Sequence, residues 1–247
     1  ASLMRLTQSP GSDWFPVWTP DGRRIVFSSD GSGQANLWWQ AADGTGVAER
    51  LTTSEHNQHS TGISPDGRSV IFDESVPSMF RDLLQLAIDG THRVTPLVRT
   101  PFNEINGIVS PDGRWLAYES NTSGTPEIYV RTFPNVAGGL WQVSTAGGRQ
   151  ALWARSGKEL FYFDPAGALF RVPVEANDAT WNAGTPVKLL EARYYAASNA
   201  AGRMYDISPD GQRFLMIKTP DSNGAQSAII LVQHWDEELK RLVPTKR

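Results

Sequence analysis

Five copies of one turn motif, a near-constant spacing between them, and an apolar strand after each copy predict an all-β chain. The architecture that fits is a five-bladed β-propeller of four-stranded blades. Trp18-Thr19-Pro20-Asp21-Gly22-Arg23 recurs as Ile63-Ser64-Pro65-Asp66-Gly67-Arg68, as Val109-Ser110-Pro111-Asp112-Gly113-Arg114 and as Ile207-Ser208-Pro209-Asp210-Gly211-Gln212. A degenerate copy is Trp153-Ala154-Arg155-Ser156-Gly157-Lys158. With anchors at 21, 66, 112, 156 and 210, the steps are 45, 46, 44 and 54 residues.

The first strand of each repeat runs into the turn and carries a large apolar residue three before the anchor: Trp18, Ile63, Val109, Trp153 and Ile207. Pro presets φ and Gly supplies φ > 0, which closes the turn. The second strand follows at once, as in Ile25-Val26-Phe27, Val70-Ile71-Phe72 and Leu116-Ala117-Tyr118. These are β-branched and aromatic runs of strand length. A third strand comes after a polar loop, as in Glu127-Ile128-Tyr129-Val130. A short fourth one follows, as in Arg50-Leu51-Thr52 and, more loosely, Val187-Lys188-Leu189-Leu190. The blades are placed at 13–52, 55–97, 102–144, 149–190 and 203–232, in a single domain of 1–247.

The fifth repeat lacks a fourth strand. Arg5-Leu6-Thr7 matches Arg50-Leu51-Thr52, and each lies the same 14 residues before its anchor. Residues 3–7 are therefore expected to add to the last blade as its outer strand and close the ring. Residues 234–242 read as a short amphipathic helix, with Trp235, Leu239 and Leu242 at i, i+4 and i+7. Tryptophans on strands, Trp18 among them, are expected in the core between blades.

Composition excludes several functions. There is no cysteine, so no thiolate nucleophile or ligand. The net charge of −3 argues against a nucleic-acid partner. No apolar run reaches the ~18 residues of a membrane span. A ring of this size is expected to be a compact monomer.

The Ser-Pro-Asp-Gly-Arg/Gln copies and the Arg-Leu-Thr strand ends resemble the TolB-like propeller repeat over essentially the whole chain. The second half is similar also to the C-terminal propeller of bacterial membrane-anchored serine/threonine kinases. That similarity rests on Glu127-Ile128-Tyr129-Val130-Arg131, Gly157-Lys158-Glu159-Leu160-Phe161-Tyr162, Tyr205-Asp206-Ile207-Ser208-Pro209 and Trp235-Asp236-Glu237-Glu238. No kinase motif is present. The resemblance implies an extracytoplasmic or periplasmic interaction module and transfers no catalytic site.

Chemistry in a propeller is sought at the channel mouth, among the residues before each inner strand. Six to nine before the anchors stand Ser12, Asp13, Phe15, Asn57, Gln58, Asn103, Glu104, Asn106, Arg149, Gln150, Arg203 and Met204, with His56 and His59 beside the second copy. The leading expectation is a non-catalytic mouth that binds a protein, peptide or cell-envelope ligand through Trp14, Gln58, Arg149 and Arg203. The alternative is a metal-dependent hydrolase of lactonase or phosphotriesterase type. Asp13, Asn57, Glu104 and Asn106 would hold one divalent ion, calcium first and zinc second. His59 or His56 would then serve as general base. A Ser60-His59-Asp13 triad lacks the Gly-x-Ser-x-Gly elbow and is set aside.

Overall fold

A computed structural model describes residues 4–31, 33–75, 80–177, 180–191, 194, 202–218 and 228–233, the last six and residue 218 by backbone only. Every regular element among them is a strand, and the strands form five antiparallel sheets. The first sheet is β1 (Asp13–Trp18), β2 (Arg24–Ser29), β3 (Asn36–Ala41) and β4 (Glu49–Arg50). The second is β5 (Gln58–Ile63), β6 (Ser69–Ser75), β7 (Arg81–Ala87) and β8 (Val94–Val98). The third is β9 (Glu104–Val109), β10 (Trp115–Ser120), β11 (Glu127–Thr132) and β12 (Leu140–Gln142). The fourth is β13 (Arg149–Trp153), β14 (Glu159–Phe163), β15 (Leu169–Ala176), β16 (Trp181–Ala183) and β17 (Val187–Leu190). The fifth holds β18 (Tyr205–Ile207), β19 (Arg213–Lys218) and β20 (Ala228–Gln233).

The motif closes each inner hairpin through one small network. In the second sheet Ser64 Oγ donates to Asp66 Oδ1 at 2.6 Å, and that oxygen also accepts Arg68 N at 3.0 Å. Ser69 N donates back to Ser64 Oγ at 2.9 Å. Thr19 and Asp21, Ser110 and Asp112, and Ser208 and Asp210 repeat the pattern. These bonds hold the carboxyls of Asp21, Asp66 and Asp210 below the ordinary value. Asp112 is also lowered, against the desolvation that opposes it. In the degenerate copy Ala154 keeps only the backbone part, with Gly157 N donating to Ala154 O at 2.9 Å.

Core side chains fill the spaces between sheets, where removal of apolar surface from water drives packing. Val26, Leu37, Val70 and Phe72 join the first two sheets. Ile71, Leu83, Leu116 and Tyr129 join the second and third. Trp115, Trp153, Tyr162 and Trp181 join the third and fourth, and Phe161, Phe163, Tyr205 and Phe214 the fourth and fifth.

Three expectations change. Residues 4–12 form no strand, so the closing strand is not seen. Arg5 Nε does donate to Thr7 O at 2.8 Å, as Arg50 Nε does to Thr52 O at 2.8 Å. What holds the second copy is its neighbour: Leu51 N donates to Leu37 O and Leu37 N to Thr52 Oγ1. Among the described residues no such bond reaches 5–7, and Met4 lies instead against Gly44 of the first sheet. Trp18 is 59% exposed rather than core, because β1 alternates half-buried and exposed positions while β9 and β10 are almost wholly buried. β16 was not foreseen. It hairpins back on the long β15 and accounts for part of the long fourth step. The expected helix at 234–242 lies outside the described residues.

Candidate functional site

Each of the inner strands β1, β5, β9 and β13 carries a register shift against its partner. In three of them the residue six before the anchor stands at positive φ: Phe15 at 55°, Asn106 at 55° and Gln150 at 57°. Such a conformation is costly for residues other than Gly, and a β-bulge is the device that imposes it. The bulge bends the inner strand where neighbouring blades meet.

Bonds between blades run through these bulges. Ser60 Oγ donates to Phe15 O at 2.6 Å, and Thr61 Oγ1 to Gly107 O at 2.7 Å. Glu119 Oε1 accepts Asn106 Nδ2 at 2.6 Å and Gln150 N at 2.6 Å. Met204 N donates to Gln150 Oε1 at 3.0 Å, and Tyr205 Oη to Gln150 O at 2.8 Å. Arg203 reaches across: its Nε donates to Ala151 O at 3.0 Å and its Nη2 to Thr61 O at 3.4 Å. One side chain just ahead of the fifth sheet thus touches the fourth and the second.

Burial governs the charges here. Glu119 is 2% exposed, and desolvation pushes its carboxyl up to about 7 against the pull of its two hydrogen bonds and of Arg149. Burial lowers the Arg203 guanidinium, while Tyr205, Asp206 and Glu119 act the other way. The Tyr205 phenol is pushed far up by burial.

Beside Arg203 opens a pocket of about 950 Å³, formed by the first and second sheets, their loops and the segment 202–204 that leads into the fifth. Trp14, Phe15, Asn57, His59, Arg81 and Arg203 line it. Trp14 is 41% exposed. His59 Nδ1 is 2.8 Å from Asp73 Oδ2, an oxygen that also accepts Arg81 Nη1 at 3.2 Å. Asp73 is itself buried, so it anchors both side chains from behind. The Phe15 ring meets His59 edge-on, with centroids 5.0 Å apart. Gly202, at φ +67°, passes so close to Phe15 that a Cβ would stand 2.8 Å from the ring.

Trp14, Asn57, His59 and Arg203 come together in this pocket. Most of the other expected residues, and the Asn57 side-chain oxygen itself, are engaged by protein groups. Gln58 is buried, accepts Thr52 Oγ1 and donates Nε2 to Glu74 Oε2 at 2.6 Å. Asn57 Oδ1 accepts Ala35 N at 3.0 Å. Glu104 is buried; its Oε1 accepts Thr100 Oγ1 at 2.6 Å and Ser120 Oγ at 3.1 Å. Its Oε2 and Asp13 Oδ1 are buried with no partner among the described residues. Desolvation raises the Glu104 carboxyl despite those two hydroxyls. Asn106 is bound to Glu119. His56 N donates to Ser54 Oγ at 3.1 Å. Arg149 opens β13 and acts on Glu119. Among the described residues no group of three or more His, Asp or Glu is placed to hold a metal.

Counting from the inner strand missed Asp73, Arg81 and Glu119. A signal existed for two of them. Asp73 and Glu119 both stand seven after their anchors, where Phe163 and Ile217 stand in later copies. A carboxyl at the end of an otherwise apolar strand is a buried charge in need of a partner.

Successive antiparallel sheets of three to five described strands, joined at bulged inner strands, define a β-propeller. The fold is TolB-like. TolB from Acinetobacter baumannii superposes with a TM-score of 0.68 at 18% identity, over 93% of this chain and 53% of that one. A puromycin-hydrolyzing peptidase of Mycobacterium tuberculosis superposes with a TM-score of 0.64 at 17% identity, over 92% of this chain and 40% of that one. In sequence, an uncharacterised protein of Agrobacterium fabrum is 34% identical over 137 residues, 53% of this chain and 43% of the relative. The Tol-Pal system protein TolB of Bordetella pertussis is 46% identical over 44 residues, 18% of this chain and 10% of that protein. The chain thus spans less than half the length of the curated relatives it matches. No family profile matches it.

Proposed function

We propose that this chain is a propeller-type interaction module that binds a peptide segment of another protein in the mouth pocket. The observation that carries the reading is the pocket itself: an exposed indole, Trp14, beside cationic side chains locked in place from behind. Indole and guanidinium groups are the anchors that dominate binding energy at protein interfaces. Rigid strands holding such groups favour recognition, because little order is left to impose on binding. The five sheets are read as one ring of five blades. The likeness to TolB, with the repeat motif, supports an extracytoplasmic site of action.

The hydrolase reading has less support. Its four proposed metal ligands include Asn57 and Asn106, whose side chains already bond protein groups.

The test is selection of random displayed peptides on the intact chain, followed by hydrogen exchange of the complex with an enriched peptide. Protection is expected at 14–17, 57–61 and 202–204. Protection confined to the outer strands, or no enrichment, would contradict the reading.

A further inference from the structure

The charges around the mouth pocket do not balance group by group. Two cations line it, Arg81 and Arg203. Arg81 has its counter-ion, since Asp73 Oδ2 is 3.2 Å away. Arg203 donates only to the carbonyl oxygens of Ala151 and Thr61, and no carboxylate lies within ion-pair distance of it among the described residues. The pocket's own carboxyl, Asp30, spends Oδ1 on Ser12 N at 2.7 Å and pairs with neither arginine. Glu119 and Asp206 act on Arg203 only from beyond contact. A part-buried guanidinium held by dipoles alone, facing an open cavity, retains a strong demand for an anion.

The size and charge of that anion follow. Arg203 is the one lining arginine with no contacting carboxylate among the described residues, and Asp30 already brings one negative charge into the pocket, so a monoanion on Arg203 meets less repulsion than a dianion. Arg203 shares the pocket with apolar side chains, Trp14, Pro16, Val17 and Met204 among them. Resting on the reading of the pocket as a peptide site, we propose that Arg203 is the docking point for a carboxylate, with the large apolar side chain beside that carboxylate lying on Trp14. Arg81 and His59 line the same pocket, and both are tied to Asp73. The preferred segment is a peptide end or an acidic residue next to an aromatic one.

The probe is N-acetyl-L-tryptophan, compared with its uncharged amide, titrated into the intact chain and followed by NMR. The acid is expected to bind about tenfold more tightly than the amide, as a charge-assisted bond predicts. Shifts should centre on Trp14, His59 and Arg203. Arg203→Met should abolish the preference while still binding the amide, and Arg203→Lys should restore part of it. If Arg203→Met fails to fold, the acid-to-amide ratio and shift map of the unaltered chain decide the matter. Equal binding of acid and amide at Trp14 would overturn the carboxylate assignment yet leave the pocket a binding site. An acid preference that survives in Arg203→Met would overturn it too, as would tighter displacement by inorganic phosphate than by the acid. Absence of binding by either probe also overturns it, and peptide selection then judges the wider reading separately.

Discussion

Glu119 is the side chain whose surroundings say most about the seams between blades. Its Oε1 ties the third blade to the fourth by accepting Gln150 N, and it lies in a site that favours the neutral acid. A carboxyl with a raised folded value binds more protons when folded than when unfolded between about 4.5 and about 7. Its contribution to stability is therefore fully present below pH ~4.5 and is lost as pH rises through ~7. Glu119→Gln keeps an oxygen to accept both bonds and carries no charge. Urea unfolding of this variant between pH 5 and 8 should show a flatter pH slope than the parent. At pH 8 it should be more stable by on the order of 2 kcal/mol. An unchanged slope would mean that Arg149 and Arg203 already neutralise the carboxylate. The sequence pattern marked Asn106 and Arg149 by counting, but not the acid between them. Glu119 sits on the second strand, and its role depends on a contact between blades that no spacing within one blade reveals.

The turn and the bulge are the two repeated elements, and they were unequally legible. The Pro-Asp-Gly turn is local, so its residues announce it. Gly113 stands at φ +73° with no atom near the place of a Cβ. Gly113→Ala should therefore cost about 1 kcal/mol from backbone strain alone, measured by urea unfolding, and Gly113→Asn less. A loss of several kcal/mol would mean that the turn does more than reverse the chain. The bulges had no such signature. Phe15, Asn106 and Gln150 share a backbone conformation but no residue type, because packing between blades enforces it. Thr61 shows the strength of those seams. Its hydroxyl donates to Gly107 O in the next blade and is buried. Thr61→Val leaves that carbonyl without its partner and should destabilise by about 1–2 kcal/mol, in the same assay.

At the scale of the whole molecule the repeat fixed the class of fold, while the ends of the chain behaved differently from their pattern. Residues 5–7 keep the internal bond of their motif and yet form no strand: a β-strand exists only with a partner, and among the described residues no ladder bond reaches them. The pocket, too, is a property of the assembly. It joins the first and second sheets to the segment leading into the fifth, which is far from both in sequence and meets them only through tertiary packing. A single ring of five blades should sediment as a compact monomer of 27.2 kDa, and a concentration-dependent dimer would contradict that reading. The central claim is that the mouth pocket is the binding surface, and two tryptophans on β1 allow a controlled test. Trp14 lines the pocket, whereas Trp18, the more exposed of the two, does not. The measurement is the affinity of one selected peptide, by calorimetry, for Trp14→Ala and for Trp18→Ala. At least a tenfold loss in Trp14→Ala with little change in Trp18→Ala is the predicted result. Equal affinities, or a loss confined to Trp18→Ala, would place the binding surface outside the pocket.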